Sequence, residues 1–370
     1  MTRKPAKVAS PRGAKSSTPV RLSDVAAAAR ISSATVSRAL NAPHLVREDV
    51  RQRVLSVADR LGYVAHGAAR ALASRRSRTL GAIVPTIDNT IFARMVDAFQ
   101  QRLEAAGYNM LLTGSGYDAA REMERARALV ERGVDGLMLV GARHDPRLYD
   151  LLAATGKPFI NTWTPNRGAP HPSIGYDGRT LAATIVDHLV GLGHRDIAVV
   201  AGHTTHNDRV ETRLAGIVAA LRHHGIELPA ERLQHRHYSI EEGRAAMRAI
   251  ADSPRLPTAI ICNNDILGTG ALIEAQARGI DVPGDLSIIG NGDLELGAHL
   301  PPGLTTVSEP KAEMGAWAAD YLLARVDGRD IDLPPDLPLT LVVRGTTGPP
   351  RARRRVAALS APTPARRGSR

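Results

Sequence analysis

From Leu80 onward the chain alternates short apolar runs with amphipathic stretches long enough for a helix, and this alternation constrains the fold more than any other feature. The runs LGAIVP, NMLLT, DGLMLVG, FINTW and SIGY occupy the first half of the region; DIAVVAG, QHRHY, TAIICNN and SIIGN occupy the second. Apolar runs of this kind read as strands covered on both faces, which calls for parallel strands joined by helical crossovers. Two such series predict two doubly wound α/β lobes with parallel sheets. A ligand would then lie between the lobes, at the carboxyl ends of the strands. Residues 80–347 are expected to form this two-lobed unit.

The residues before Leu80 follow a different rule. Residues 1–80 hold 16 Lys and Arg against 4 Asp and Glu, residues 81–347 hold 25 against 33, and residues 348–370 hold 7 against none. A basic head on an acidic body is the asymmetry expected when one small domain meets a polyanion, with nucleic acid first among the partners. Residues 1–19 and 348–370, rich in Pro, Ser, Gly and Arg, read as solvated, disordered basic tails. The segment between them is patterned. Ser23 can cap a helix carrying Asp24 in its first turn and Val25, Ala26 and Ala29 on one face. Arg30 and Ile31 interrupt it, Ser32 or Ser33 offers a second cap, and Thr35 to Leu40 continue with Val36, Ala39 and Leu40 as the apolar stripe. A third helix fits Arg47 to Leu61 and is ended by Gly62. The second helix would leave Ser33, Ala34, Ser37 and Arg38 on its outer face, free for base edges in a major groove. Period alone leaves both a helix-turn-helix and an unrelated three-helix unit open.

Several function classes are opposed by what the chain carries. No window approaches 18 consecutive apolar residues, and the charged N-terminus has no apolar segment behind it, so a membrane span and secretion are both disfavoured. The one cysteine, Cys262, reads as a small buried hydrophobe in a cytoplasmic protein. GSGYDA, with Gly114, Gly116 and Ala119 and with Asp135 further on, is a weak dinucleotide pattern, and neither G-x-S-x-G nor a P-loop occurs. His203, His206, His235 and His237 read as solvated histidines, not metal ligands. No catalytic residue, metal or cofactor is assigned. The competing readings, a cytoplasmic sugar-binding protein or an α/β enzyme without DNA function, are opposed by the basic head.

The residues also carry a family pattern. LSDVAAAARISSATVSRALN followed by VREDVRQRVLSVADRLGYVAHGAARALAS resembles the DNA-binding head of lactose-repressor (LacI) family transcription factors, and GLGHRDIAVVAG, RLAG, CNNDILGTGAL, VPGDLSIIGNGD and PPGLTTV fall in that family's order and spacing. The resemblance covers residues 20 to about 347. It implies a helix-turn-helix domain over 20–65, a hinge helix and linker over 66–79, and a periplasmic-binding-protein-like core that binds an effector and dimerises. It implies a repressor, a homodimer or tetramer on a near-palindromic operator, allosterically controlled by a small sugar or sugar acid. The stretch from GYDAAREMERARALVERGVDGLML through GARHDPRLYDLL looks like the gluconate-type branch.

Carried over by residue, the resemblance places Ser33, Ala34 and Arg38 against bases and Thr35, Ser37 and Asn41 against phosphates. Arg38 has the donor fork that suits guanine. Leu72, in the hinge stretch Ala68 to Ser74, matches the leucine that wedges between base steps in the minor groove. Effector contacts fall on Asn89, Phe92 and Trp163 in the first lobe and on Asp177, Arg213, Tyr238, Asn264 and Asp293 in the second. Three positions depart from the pattern. Arg30 replaces the usual glycine of the turn, Ala65 and His66 stand where Pro-Asn is frequent, and Gly292 stands where many relatives place an acidic or polar group.

Overall fold

The computed structural model describes residues 20–41, 43–64, 76–88 and 90–351. Residues 1–19 and 352–370, the hinge stretch with Leu72, the Ala65–His66 departure, and Asn89 lie outside the described residues. The first four residues of the expected C-terminal tail, 348–351, are instead tied down: the Gly348 amide donates to Ser287 Oγ at 3.1 Å, and Arg351 pairs with Asp281 at 2.6 Å and Asp285 at 2.7 Å. The chain divides into two compact units, with the boundary between Ser77 and Arg78.

The smaller unit holds three helices, α1 (Leu22–Ala29), α2 (Ser33–Asn41) and α3 (Glu48–Leu61). Its core is small and aliphatic: Val25, Ala26 and Ala29 of α1, Val36 and Ala39 of α2, and Val54, Val57 and Ala58 of α3. These are the residues whose 3.6-residue spacing marked the helices. Their starts differ slightly from expectation. Helix α1 begins at Leu22, because the Asp24 carboxylate accepts the Arg21 amide at 2.8 Å, so Ser23 falls inside the first turn and is not the cap. Ser32 caps α2, accepting the Thr35 amide at 3.1 Å. Arg47 precedes α3 and is not in it. Gly62 ends α3 in the left-handed conformation at φ 65°. Arg30 ends α1 in the same conformation at φ 55°, where a side chain is strained and glycine is not.

The larger unit has two parallel sheets of the expected kind. The first contains β1 (Thr79–Val84), β2 (Asn109–Gly114), β3 (Leu137–Val140), β4 (Phe159–Thr162) and β5 (Ser173–Ile174), in the order β2-β1-β3-β4-β5. The second contains β6 (Ile197–Gly202), β7 (Leu233–Arg236), β8 (Ala259–Cys262) and β9 (Ser287–Ile289), in the order β7-β6-β8-β9. In each sheet the strand order reverses beside the first strand, so each lobe has a crevice there at its carboxyl edge. The connecting helices α4 (Ala93–Ala105), α5 (Ala119–Glu131) and α6 (Pro146–Ala154) belong to the first lobe; α7 (Gly178–Gly191), α8 (Asp208–His223), α9 (Ile240–Ala251), α10 (Asp265–Ala277) and the short α11 (Glu295–His299) belong to the second. Among the described residues no helix is long and apolar enough to cross a membrane.

Two features were not visible in the apolar runs. An antiparallel pair, β10 (Thr306–Ser308) with β11 (Thr340–Val342), is made of three-residue segments too short to show a period. The halves of the sequence also fail to map onto the lobes, because α12 (Lys311–Val326) returns to pack on α4. The two helices meet so closely that a Cβ on Gly315 would stand 2.1 Å from the Met95 carbonyl oxygen.

Candidate nucleic-acid interface and ligand cleft

On α2 the split between faces is complete. Val36 and Ala39 are buried, whereas Ser33, Ala34, Arg38 and Asn41 are exposed and Thr35 and Ser37 are half-buried at the edge. Short local hydrogen bonds organise the polar face: Ser32 Oγ and Thr35 Oγ1 lie 2.9 Å apart, and Asn41 Nδ2 donates to Ser37 Oγ at 3.3 Å. Nearby, Arg47 just ahead of α3 pairs with Asp49 at 3.1 Å, and Arg51 on α3 pairs with Glu48 at 3.3 Å. Arg38 makes no ion pair among the described residues. An uncommitted guanidinium on an exposed helix face, beside a row of hydroxyl and amide groups, can donate to an anionic or base-edge acceptor at no cost to the fold.

The second site is assembled from strand ends. Phe92 leads into α4, Trp163 and Tyr176 follow β4 and β5, Arg213 stands on α8, Tyr238 follows β7, Asn264 follows β8, and Glu309 follows β10. Phe92, Trp163, Arg213, Tyr238, Asn264 and Glu309 line one cavity between the lobes, about 20 Å³ in volume. Tyr117 and Arg209 line it too, and both also face an adjoining chamber of about 310 Å³ toward the cleft mouth. The first lobe supplies aromatic surface. Phe92 meets the Trp163 ring edge to face at a centroid distance of 5.2 Å, and the Trp163 Nε1–H points at Met95 Sδ, 3.0 Å away. Both Tyr117 and Trp163 hold left-handed backbone, at φ 59° and 67°, which bulky residues adopt only where the surroundings impose it.

The second lobe supplies polarity. Arg213, buried, donates from Nε to Asn263 Oδ1 at 2.7 Å, from Nη2 to the Asn263 carbonyl at 3.4 Å and from Nη1 to the Tyr176 hydroxyl at 3.4 Å. Tyr176 in turn donates to Glu309, which also accepts from Asn291 Nδ2 at 3.1 Å and pairs with Lys311 at 3.5 Å. Lys311 donates to the Gly292 carbonyl, so an ammonium sits beside the position that departs from the family pattern. Burial, reinforced by the charge of Glu309, raises the Tyr176 phenol well above its ordinary range and keeps it a donor. Burial pushes Tyr117 up to about 12. Two amide atoms in this wall, Asn263 Nδ2 and Asn291 Oδ1, are buried without a hydrogen-bond partner. Unpaired buried polar atoms are costly, and they mark where a polar ligand would be complementary.

The structure therefore brings together Phe92, Trp163, Arg213, Tyr238 and Asn264. It does not bring Asp177 or Asp293 to that cavity. Asp177 caps α7, accepting the Arg179 amide at 2.8 Å, and Asp293 is paired with Arg344 at 2.6 Å. Sequence reasoning missed Tyr117, Tyr176, Arg209, Asn263, Asn291 and Glu309. Asn263 adjoins Asn264, and Asn291 lies in the GNGD phrase already singled out, so position at a strand end was the available signal. His203 stacks near His237 and His235, with ring centroids 4.4 and 6.3 Å apart. Even so, no group of three His, Cys, Asp or Glu among the described residues is placed to hold a metal ion.

Comparison with known proteins bears on both units. Residues 21–66 match the model for bacterial regulatory proteins of the lacI family, and residues 186–347 match the periplasmic binding protein-like domain. The chain is similar to the HTH-type transcriptional repressor CytR of Escherichia coli strain K12, 31% identical over 336 residues that cover 90% of this chain and 98% of the relative. Its fold is similar to that of the lac repressor dimer solved bound to operator and the anti-inducer ONPF, with a TM-score of 0.79, 26% identity, and coverage of 90% of this chain and 100% of that one. It is also similar to the transcription regulator GntR from Chromobacterium violaceum, with a TM-score of 0.67, 31% identity, and coverage of 73% and 99%.

Proposed function

The chain belongs to the LacI family of bacterial regulatory proteins, and from that premise we propose a cytoplasmic transcriptional repressor whose operator binding is controlled by a small sugar or sugar acid in the interlobe cleft. The head reads DNA through α2. Arg38 takes a guanine in the major groove, Ser33 and Ala34 meet neighbouring base edges, and Thr35, Ser37 and Asn41 hold phosphates. A near-palindromic operator and a homodimer follow, because paired half-sites need two-fold protein symmetry. Leu72 of the hinge is proposed to wedge into the minor groove. Leu72→Ala should then weaken operator binding while non-specific, salt-dependent DNA affinity stays.

The observation that carries the ligand reading is the convergence of aromatic side chains from one lobe and amide and guanidinium groups from the other on one buried cavity. Ring faces suit the C–H surface of a pyranose or an aldonate chain; amides suit hydroxyls. Arg213 favours an acid, since a carboxylate accepts charge-assisted bonds, and the likeness to the gluconate-type branch points the same way. Most of the Arg213 fork is already turned to Asn263 and Tyr176, so one carboxylate oxygen, not a full bidentate pair, is what it would meet. A thermal-shift screen of the full-length protein against sugars and sugar acids, followed by operator binding with each hit, tests this. A compound that raises the melting temperature and changes operator affinity supports the reading; no such compound across both classes sinks it.

A further inference from the structure

At the mouth of the cleft the start of α8 in the second lobe grips the β3–α6 loop of the first. One oxygen of the Asp208 carboxylate accepts two successive backbone amides, Ala142 at 2.8 Å and Arg143 at 3.1 Å. Successive amides of a turn form a small anion-binding concavity, and here a carboxylate from the opposite lobe fills it. The neighbouring Arg209 donates from Nη1 to the Val140 carbonyl at 3.1 Å and to Asp208 Oδ1 at 3.0 Å. Four charge-assisted bonds are thus concentrated on two adjacent residues. The Arg209 side chain is only 9% exposed, so water competes weakly for them.

The first lobe is shaped to receive this pair. Gly141 holds φ 99°, and a Cβ there would stand 2.4 Å from Arg209 Nη1 and 2.8 Å from Asp208 Oδ1. The loop is braced from behind by His144, whose ring nitrogens lie 2.8 Å from Glu122 Oε2 and 3.0 Å from the Gly141 carbonyl oxygen. An outer pair, Arg143 with Glu211 at 2.7 Å, also crosses the mouth, but both side chains are more than half exposed and contribute little.

We infer that Asp208 and Arg209 are a latch that holds the two lobes closed and sets how readily the cleft opens. Arg209 lines the inner cavity as well as the mouth chamber, so the residue that fastens the lobes is also one a ligand would touch. With an inner cavity of about 20 Å³, room for about one water, anything larger must enter through the opened state. The latch therefore regulates access to the cleft. Its consequence for an effector rests on the functional reading above, whereas the latch itself is testable with no small molecule present.

The test is the interlobe distance in the full-length protein, measured by pulsed electron paramagnetic resonance between spin labels at Glu131→Cys on α5 and Arg222→Cys on α8, both exposed; Cys262 is buried and escapes labelling. In protein diluted with unlabelled chain, so that only pairs within one protomer are read, the unsubstituted latch should give one narrow distance. Asp208→Ala, and independently Gly141→Ala from the other lobe, should each add a longer component, while Glu211→Ala should leave the distribution as it was. Asp208→Asn keeps the shape and loses the charge; it decides the matter if Asp208→Ala does not fold. Unchanged distributions in Asp208→Asn and Gly141→Ala, with melting cooperative, would overturn the latch. A failed ligand screen would break the effector reading and leave this measurement untouched.

Discussion

The two candidate sites use side chains in opposite ways. On α2 the groups proposed to meet DNA, Ser33, Ala34 and Arg38, are exposed, and the residues that hold the fold, Val36 and Ala39, are different residues on the other face. In the cleft the groups proposed to meet a ligand and the packing groups are the same. Arg213 is buried and bonded to Asn263 and Tyr176, and Trp163 belongs to the main apolar core. The contrast follows from what each site meets. DNA is a large surface read from outside, so its reader can be appended to a small finished core. A small molecule must be wrapped, so the wrapping residues have to complete the core themselves. Function should thus separate from stability in the head and be inseparable from it in the cleft.

The largest expected effect breaks the molecule along that line. A chain beginning at Arg78 should fold, melt cooperatively, and lose operator binding altogether; retained operator binding by this fragment would overturn the assignment of DNA recognition to the head. Next comes the cost of buried charge near the cleft. Asp265, at the start of α10, accepts the Leu294 amide at 2.8 Å and the Thr306 hydroxyl at 2.7 Å, yet burial pushes its carboxyl up to about 6. Because the folded value lies above the unfolded one, its contribution to stability is complete below about pH 4 and is lost as pH rises through about 6. The loss amounts to about 3 kcal/mol. Denaturant unfolding of the parent chain and of Asp265→Asn across pH 4 to 7 should show this slope in the parent only. Equal slopes would mean the carboxylate is ionised in the fold without penalty.

In the head the corresponding charge should be invisible to stability. Arg38→Ala should leave the melting temperature unchanged, cost about 1–3 kcal/mol on the preferred operator, and relax base preference at one symmetric pair of positions. An equal loss on every sequence would reduce Arg38 to a phosphate contact. The smallest effect sharpens the contrast from the fold side. Arg30→Gly relieves a left-handed side chain at the end of α1 and should stabilise the head by up to about 1 kcal/mol. The gain should appear in the melting of the head without altering which base Arg38 prefers.

The same contrast explains which parts of the molecule are legible in its residues alone. The face of α2 is legible because nine consecutive residues with one period carry both the core and the exposed face proposed to read DNA. All the long strands are legible from apolar runs, which place a cleft at their carboxyl ends; Phe92, Trp163, Arg213, Tyr238 and Asn264 are named by the family resemblance, not by the runs. The polar wiring is not legible. Glu309 and Arg213 are 96 residues apart in sequence, yet a hydroxyl from Tyr176 joins them. Asp177 has the look of a ligand group, but α7 begins at the next residue and claims its carboxylate as a cap. Asp293 is claimed by Arg344, 51 positions later. In each case a tertiary or capping partner, absent from any local pattern, decides where the charge goes.

Whether this chain reads DNA sequence is the central question, and one selection answers it with neither operator nor effector in hand. Binders are drawn from a random double-stranded library by the full-length protein at physiological salt and then sequenced. The expected result is enrichment of one near-palindromic site whose symmetric preference at one guanine disappears in Arg38→Ala. Binding that is steeply salt-dependent but enriches no sequence would contradict it.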